Sequence, residues 1–196
     1  MKYPKNEFKP FTYELLELVR GWRNEPRIRN NMYSTDIIGR DQQVEWFEKM
    51  VEDPSREYFV YFQNDKPIGC LSFTSINNED CQWGCYLGEE RVWPGSGIIL
   101  AVAALDYAFK GIGVELLEAE VLEFNKSPQQ MHQTFEYPES YIKETNAIRD
   151  GKQVNAIVYK YSREAWEKNR DNVLDKFPIK FRHAANHIFF KGKLLS

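Results

Sequence analysis

QWGCYLGEERVWPGSGIILAVAALDYAF, residues 82–109, is the stretch on which the reading of this chain turns. It opens as an apolar, aromatic strand over 81–87, passes through a turn holding Pro94, Gly95 and Gly97, and becomes a helix. From Ile98 to Leu105 every residue is apolar, and Tyr107, Ala108 and Phe109 extend the run, with only Asp106 and Lys110 charged. A helix apolar nearly all round must be buried on most sides. Glycines where a strand hands over to such a helix let the backbone turn sharply and leave amide N–H groups uncovered. Those amides sit at the positive end of the helix dipole, which makes the turn a cradle suited to a pyrophosphate. It is not a P-loop, because no Lys-Ser/Thr pair follows, and Leu100 stands where GxGxxG needs its third glycine.

Upstream of the cradle the chain reads as a strand over 7–13, a helix over 14–23 ended by Pro26, and a polar loop over 30–38. A second helix over 42–51 follows, with Asp41 as its N-cap. Strands over 57–63, 68–76 and 81–87 then form an antiparallel meander with turns at 64–67 and 77–80. Downstream come a strand over 114–122, a helix capped by Asn125 with Pro128 early in it, and a hairpin of 140–148 and 153–161 around Asp150 and Gly151. The sum is a mixed α/β (α+β) sheet, mostly antiparallel and flanked by helices.

Residues 162–196 stand apart from this domain of 1–161. They begin as an amphipathic helix over 162–172. A basic stretch rich in phenylalanine follows, in which Phe177, Phe181, Ala184 and Ile188 have helical spacing. A C-terminal helical extension is expected, packed on the domain or on a sister subunit of a homodimer. His183 and His187 lie four residues apart but lack the glutamate of HExxH and a third ligand, and Cys81 with Cys85 do not close a zinc site either. No metal is expected.

The chain of 196 residues suffices for one substantial domain and no more. A formal net charge of −3 argues against general nucleic-acid binding. Cys70, Cys81 and Cys85 read as free thiols of a reducing compartment, and neither a secretory h-region nor a membrane-length apolar run is apparent. The protein is expected to be cytoplasmic, with no membrane span.

The order of elements and the RVWPGSG turn (91–97) resemble the Gcn5-related N-acetyltransferase (GNAT) superfamily, over roughly residues 11 to 161. More narrowly, RNEP (23–26), MYST (32–35), TSIN (74–77), GCY (84–86) and AEV (119–121) are similar to the nucleotide-amino-sugar N-acetyltransferases of pseudaminic acid biosynthesis. The resemblance implies that acetyl-CoA binds at Tyr86, Leu87, Arg91, Gly95, Ser96, Gly97, Ile98 and Asn125. It places a small-molecule nucleotide sugar against Arg23, Met32, Tyr33, Trp46, Thr74 and Tyr86. Glu120 falls near the acceptor amine as its candidate base, and His132 falls where the family has a tyrosine general acid. That tyrosine and the Phe-rich tail are the two departures from the family pattern.

Acetyl transfer needs a polarised thioester carbonyl, which a backbone N–H in 85–87 can provide, and a V-shaped gap between strands at Tyr86 and Glu120 to align the reactants. His132 would donate the thiolate's proton near neutral pH when cationic. Two other readings compete: a protein N-terminal acetyltransferase of the ribosomal-protein type, and a non-catalytic acyl-CoA-binding assembly protein. The set Met32, Tyr33 and Trp46, with its two aromatic rings, favours a planar uracil over a peptide groove.

Overall fold

The computed structural model describes residues 3–195. In chain order the elements are β1 (Asn6–Pro10), α1 (Tyr13–Asn24), α2 (Pro26–Arg29), α3 (Arg40–Glu52), β2 (Glu57–Gln63), β3 (Lys66–Thr74) and β4 (Asp80–Leu87). Then come α4 (Ser96–Asp106), widening into a π-helical turn over Tyr107–Ile112, β5 (Leu116–Leu122), α5 (Lys126–Thr134) and β6 (Glu139–Lys143). The short β7 (Ile148–Arg149) and β8 (Lys152–Gln153) precede β9 (Ala156–Ser162), α6 (Arg163–Asp175), α7 (Ile179–Ala185), β10 (Ile188–Phe190) and β11 (Lys193–Leu194). Among the described residues no helix is long and apolar enough to cross a membrane.

Nine strands form one sheet in the order β11-β10-β1-β2-β3-β4-β5-β9-β6. Every pairing is antiparallel except β4–β5 and β1–β10. The meander arises where expected: Asn64 and Asp65 both take positive φ (47° and 63°), which suits the two-residue turn joining β2 to β3. β2 is apolar on both faces because both are covered. Phe59 and Tyr61 pack with α4, while Val60 and Phe62 pack with α1 and α3. α4 is buried along nearly its whole length, as its composition demands.

Local details differ from the sequence reading. The first strand ends at Pro10, and Tyr13 already opens α1. α3 starts two residues early, with Gly39 as its N-cap, so Asp41 sits in the first turn rather than capping it. The closing hairpin is broken: β6 and β9 pair, and residues between them fold back into the separate β7–β8 ribbon.

The tail departs most. The amphipathic helix expected over 162–172 is α6, and Ser162 caps it by accepting from Ala165 N at 3.2 Å. The helical spacing of Phe177 to Ile188, however, spans a helix confined to Ile179–Ala185, and Ile188 begins a strand. β10 lies parallel to β1, with Asn6 opposite Ile188 and Phe8 opposite Phe190. The tail therefore packs on its own domain and shares its core through Trp166, Val173, Leu174, Ala184, Ile188 and Phe190. Its anchor is Asp106, the one acid inside α4. Asp106 is 3% exposed and accepts from Trp166 Nε1 at 2.8 Å and from Arg170 Nε and Nη2 at 2.9 and 2.7 Å.

Candidate active site

β4 and β5 pair in parallel from Asp80↔Leu116 to Trp83↔Ala119, and there the pairing stops. β4 nevertheless runs on to Leu87 and β5 to Leu122, so the two strands splay. Gly88 N donates to Ile68 O at 2.8 Å across the other edge of β4. By strand alternation the amides of Cys85 and Leu87 then face the gap. A cleft of about 760 Å³ passes through it, walled by α1, α3 and the intervening loop on one side of the sheet and by α5 on the other. Arg23, Met32, Tyr33, Trp46, Thr74, Tyr86, Leu87, Glu120, Asn125 and His132 all line this cleft.

Arg91, Gly95, Ser96, Gly97 and Ile98 do not line it; they form the turn into α4. Their roles divide. Ser96 is buried, donating to Trp93 O at 2.6 Å and accepting from Gln63 Nε2 at 2.9 Å, so its hydroxyl serves the turn itself. The Trp93 ring lies so close over Gly95 that a Cβ there would stand 2.1 Å from it, and the ring meets Phe181 of α7 edge-on at 4.8 Å. Gly97 is open, with no atom within 4 Å of an added Cβ. Ser96 N bonds Trp93 O and Ile99 N bonds Gly95 O, which leaves the Gly97 and Ile98 amides without a main-chain acceptor. Two free amides beside open space at a helix start fit the pyrophosphate of acetyl-CoA.

On the α1–α3 side the cleft is aromatic. Trp46 and Tyr58 meet edge-on at 5.0 Å, and Phe11 packs against both at 6.2 and 5.8 Å. Arg23 enters among them half-buried. Its Nη1 is buried without a hydrogen-bond partner, and desolvation lowers its pKa. Asn24 secures the loop above by a reciprocal pair with Ile38, donating to its O at 2.9 Å and accepting from its N at 2.8 Å. Arg27 donates to the carbonyls of Leu87 (3.0 Å) and Gly88, tying α2 to the end of β4.

Two expected catalytic groups are placed differently from the sequence reading. Glu120 is not a free base. Its Oε1 is ion-paired with Lys143 Nζ of β6 at 2.5 Å, and its Oε2 accepts from Tyr33 Oη at 2.6 Å. Burial first, and this bond second, raise the Tyr33 pKa, so the phenol keeps its proton. His132 is 3% exposed, stacked on Tyr159 at 4.4 Å and edge-on to Tyr137 at 4.6 Å. Desolvation pushes its pKa down to about 4, against a smaller opposing effect of the Pro128 carbonyl 2.7 Å from Nδ1. At neutral pH the imidazole is therefore neutral, its proton on Nδ1, and its buried Nε2 has no partner. The cationic acid expected from the sequence is not what this pocket stabilises, because helix position is visible in sequence and desolvation is not.

The sequence reading missed Arg27, Tyr58, Lys143 and Arg149. Arg149 donates to the carbonyls of Met32 and Tyr33, so β7 braces the cleft loop. No local motif marks Lys143 or Arg149, since each acts on a residue far away in the chain. Burial also pushes the thiols of Cys70, Cys81 and Cys85 up to about 12, leaving them inert. Among the described residues no group of three or more His, Cys, Asp or Glu is placed to hold a metal ion.

Comparison with known proteins bears on this geometry. Residues 7–136 match the family described as an acetyltransferase (GNAT) domain. Acetyltransferase PseH of Campylobacter jejuni is 30% identical over 126 residues, 64% of this chain and 78% of that protein. The solved spermidine N-acetyltransferase of Vibrio cholerae, in complex with CoA and spermine, is similar with a TM-score of 0.77 at 16% identity, covering 83% of this chain and 98% of that one. Campylobacter jejuni PseH in complex with acetyl coenzyme A is similar with a TM-score of 0.56 at 19% identity, over 81% and 99% of the two chains. The splayed strands, the free amides at the α4 turn and the family match over most of the chain lead to one conclusion: this protein belongs to the GNAT acetyltransferases and is an N-acetyltransferase using acetyl-CoA.

Proposed function

We propose that the acceptor is the amine of a small nucleotide-linked amino sugar, of the UDP-4-amino-4,6-dideoxy type. One observation carries this reading: the unpartnered guanidinium of Arg23 stands in the cleft among Phe11, Trp46 and Tyr58. A buried cation without a partner calls for an anion, and Arg suits a diphosphate through charge-assisted bidentate bonds. Flat rings beside it suit a nucleobase. The likeness to acetyltransferase PseH supports acetyl transfer, and the motifs similar to the nucleotide-amino-sugar N-acetyltransferases support this acceptor class.

Acetyl-CoA supplies the thioester as electrophile. The Gly97 and Ile98 amides would hold its pyrophosphate, with Arg91 exposed beside the turn. The Cys85 and Leu87 amides face the gap where the carbonyl oxygen would develop charge, and Tyr86 and Asn125 line its walls. Met32, Tyr33 and Thr74 bound the acceptor side. Glu120 meets the acceptor ammonium and takes its proton once Lys143 gives way, and the strand splay aligns amine and thioester. Neutral His132 shapes the thiol end of the cleft, and the departing thiolate takes its proton from solvent.

The decisive experiment is turnover of acetyl-CoA with a panel of UDP- and dTDP-amino sugars, beside spermidine and an N-terminal peptide. The reading expects a UDP-amino sugar to give the highest kcat/KM; preference for the peptide or spermidine would overturn it. Since nothing crowds an added Cβ at Gly97, Gly97→Trp should fold and lose acetyl-CoA binding. Unchanged affinity would move the cofactor elsewhere.

A further inference from the structure

Among the described residues lining the cleft, Glu120 is the one acid, and Arg23 and Arg27 are the strong bases. Arg27 is compensated by Glu25 at 2.7 Å and by Glu90 at 3.7 Å. Glu120 is compensated too: Lys143 covers one carboxylate oxygen and the Tyr33 hydroxyl covers the other. What remains uncompensated is Arg23. Lys143 reaches in from β6, beyond residues 7–136 that match the acetyltransferase family, so the cap on Glu120 comes from the closing hairpin.

We propose that Lys143 is the charge-selectivity residue of the cleft: by capping Glu120 it turns away polycationic amines and leaves Arg23 to admit acceptors that carry an anion. This rests on the acceptor reading above and names the device that enforces it. A lone carboxylate facing the cleft would attract any ammonium, and most strongly one with further positive charges along its chain. Capped by Lys143, the same carboxylate offers a polycation a competing cation instead, a repulsive element of the kind that sets specificity. An anionic acceptor gains from Arg23 and can still present its single amine to Glu120, displacing one ammonium by another at little net change in charge. The half-exposed position of Lys143, 46% by side chain, lets it swing aside when this happens.

The test compares full-length wild type, Lys143→Gln and the charge-keeping Lys143→Arg at saturating acetyl-CoA. Spermidine and a UDP-4-amino-4,6-dideoxy sugar serve as acceptors. Lys143→Gln should raise the spermidine-to-sugar ratio of kcat/KM about tenfold, a change of ~1.4 kcal/mol, and Lys143→Arg, which keeps the cation on Glu120, should hold it near the wild-type value. The gain should shrink as salt is raised, because part of it acts through solvent. An unchanged ratio in Lys143→Gln, or an equal gain in Lys143→Arg, overturns the proposal. If wild type turns over no UDP-amino sugar, the acceptor reading fails. The spermidine rates of the three proteins then decide on Lys143 alone: a rise confined to Lys143→Gln supports it, and equal rates overturn it.

Discussion

Arg170 and Arg23 both carry a guanidinium out of water, on opposite faces of one sheet, and their surroundings could hardly differ more. Arg170 is engaged on every side, by both oxygens of Asp106 and by Asn186 Oδ1 at 3.0 Å. Arg23 has no such partner. The first is what a structural ion pair looks like: charge, fork geometry and hydrogen bonds are closed within the fold. The second is closed only when something from outside arrives. Satisfaction, more than burial or charge, separates the groups that hold this protein together from those that wait for a ligand.

That contrast breaks if the two arginines respond alike to mutation. The largest effect should come from Asp106→Ala, which leaves Arg170 uncompensated and Trp166 Nε1 without its acceptor; a loss of about 3–5 kcal/mol is expected in urea unfolding. A loss under 1 kcal/mol would mean the pair is ornamental.

Next in size is the acid flank of stability. His132 has a folded pKa near 4, below its ordinary 6.5, so between those values the unfolded chain binds more protons than the folded one. Its contribution is fully present above pH 6.5 and is lost as pH falls toward 4, on the order of 3 kcal/mol in all. His132→Phe should flatten this limb of a stability-versus-pH curve and retain most of kcat at neutral pH. A fall of 10²-fold or more in kcat would restore the histidine as general acid.

Arg23→Met comes third and should behave as the mirror image of Asp106→Ala. Folding stability should stay level or rise, since an uncompensated charge is removed. KM for a UDP-amino sugar should rise by the equivalent of about 1.5–3 kcal/mol, with KM for acetyl-CoA unmoved. Equal changes in both constants would place the nucleotide elsewhere.

The smallest effect sharpens the boundary between the two regions. Phe181→Leu removes the edge-on partner of Trp93, worth about 0.5–1.5 kcal/mol, and so loosens the ring that rests on Gly95. Weaker acetyl-CoA binding by calorimetry is the expected result; unchanged binding would show that the tail does not support the cofactor turn.

Much of this architecture is legible in the sequence. The unbroken apolar run from Ile98 to Leu105 could only be a buried helix, and the bounds of β2 were set by the Asn64–Asp65 turn. The cleft residues carried by local motifs, Arg23, Tyr33 and Glu120 among them, do meet across the splay. What escaped was non-local. Ile188, Phe189 and Phe190 make a run too short for periodicity to separate strand from helix, and only pairing with β1 decides it. Lys143 and Arg149 are ordinary surface residues until a hairpin returns them to β5 and to the loop after α2. His132 was found by position, but its protonation state belongs to Tyr159, Tyr137 and Trp83 around it.

The pairing of β10 with β1 also has a consequence in time. Phe8 stacks between Tyr61 and Phe190, each at 4.6 Å, and Phe190 in turn stacks on Tyr107 at 4.0 Å. Until the segment around Ile188 has emerged from the ribosome, strand β1 is an open edge and this aromatic column lacks the ring that joins Phe8 to Tyr107. A contact spanning Asn6 to Ile188 is among the slowest kinds to form. A nascent chain would thus hold a nearly complete sheet with one adhesive margin, the situation in which edge-to-edge association competes with folding. Completion of the fold is expected to be a late event that waits on β10, and chains cut before α7 are expected to be recovered as aggregates rather than as a smaller enzyme.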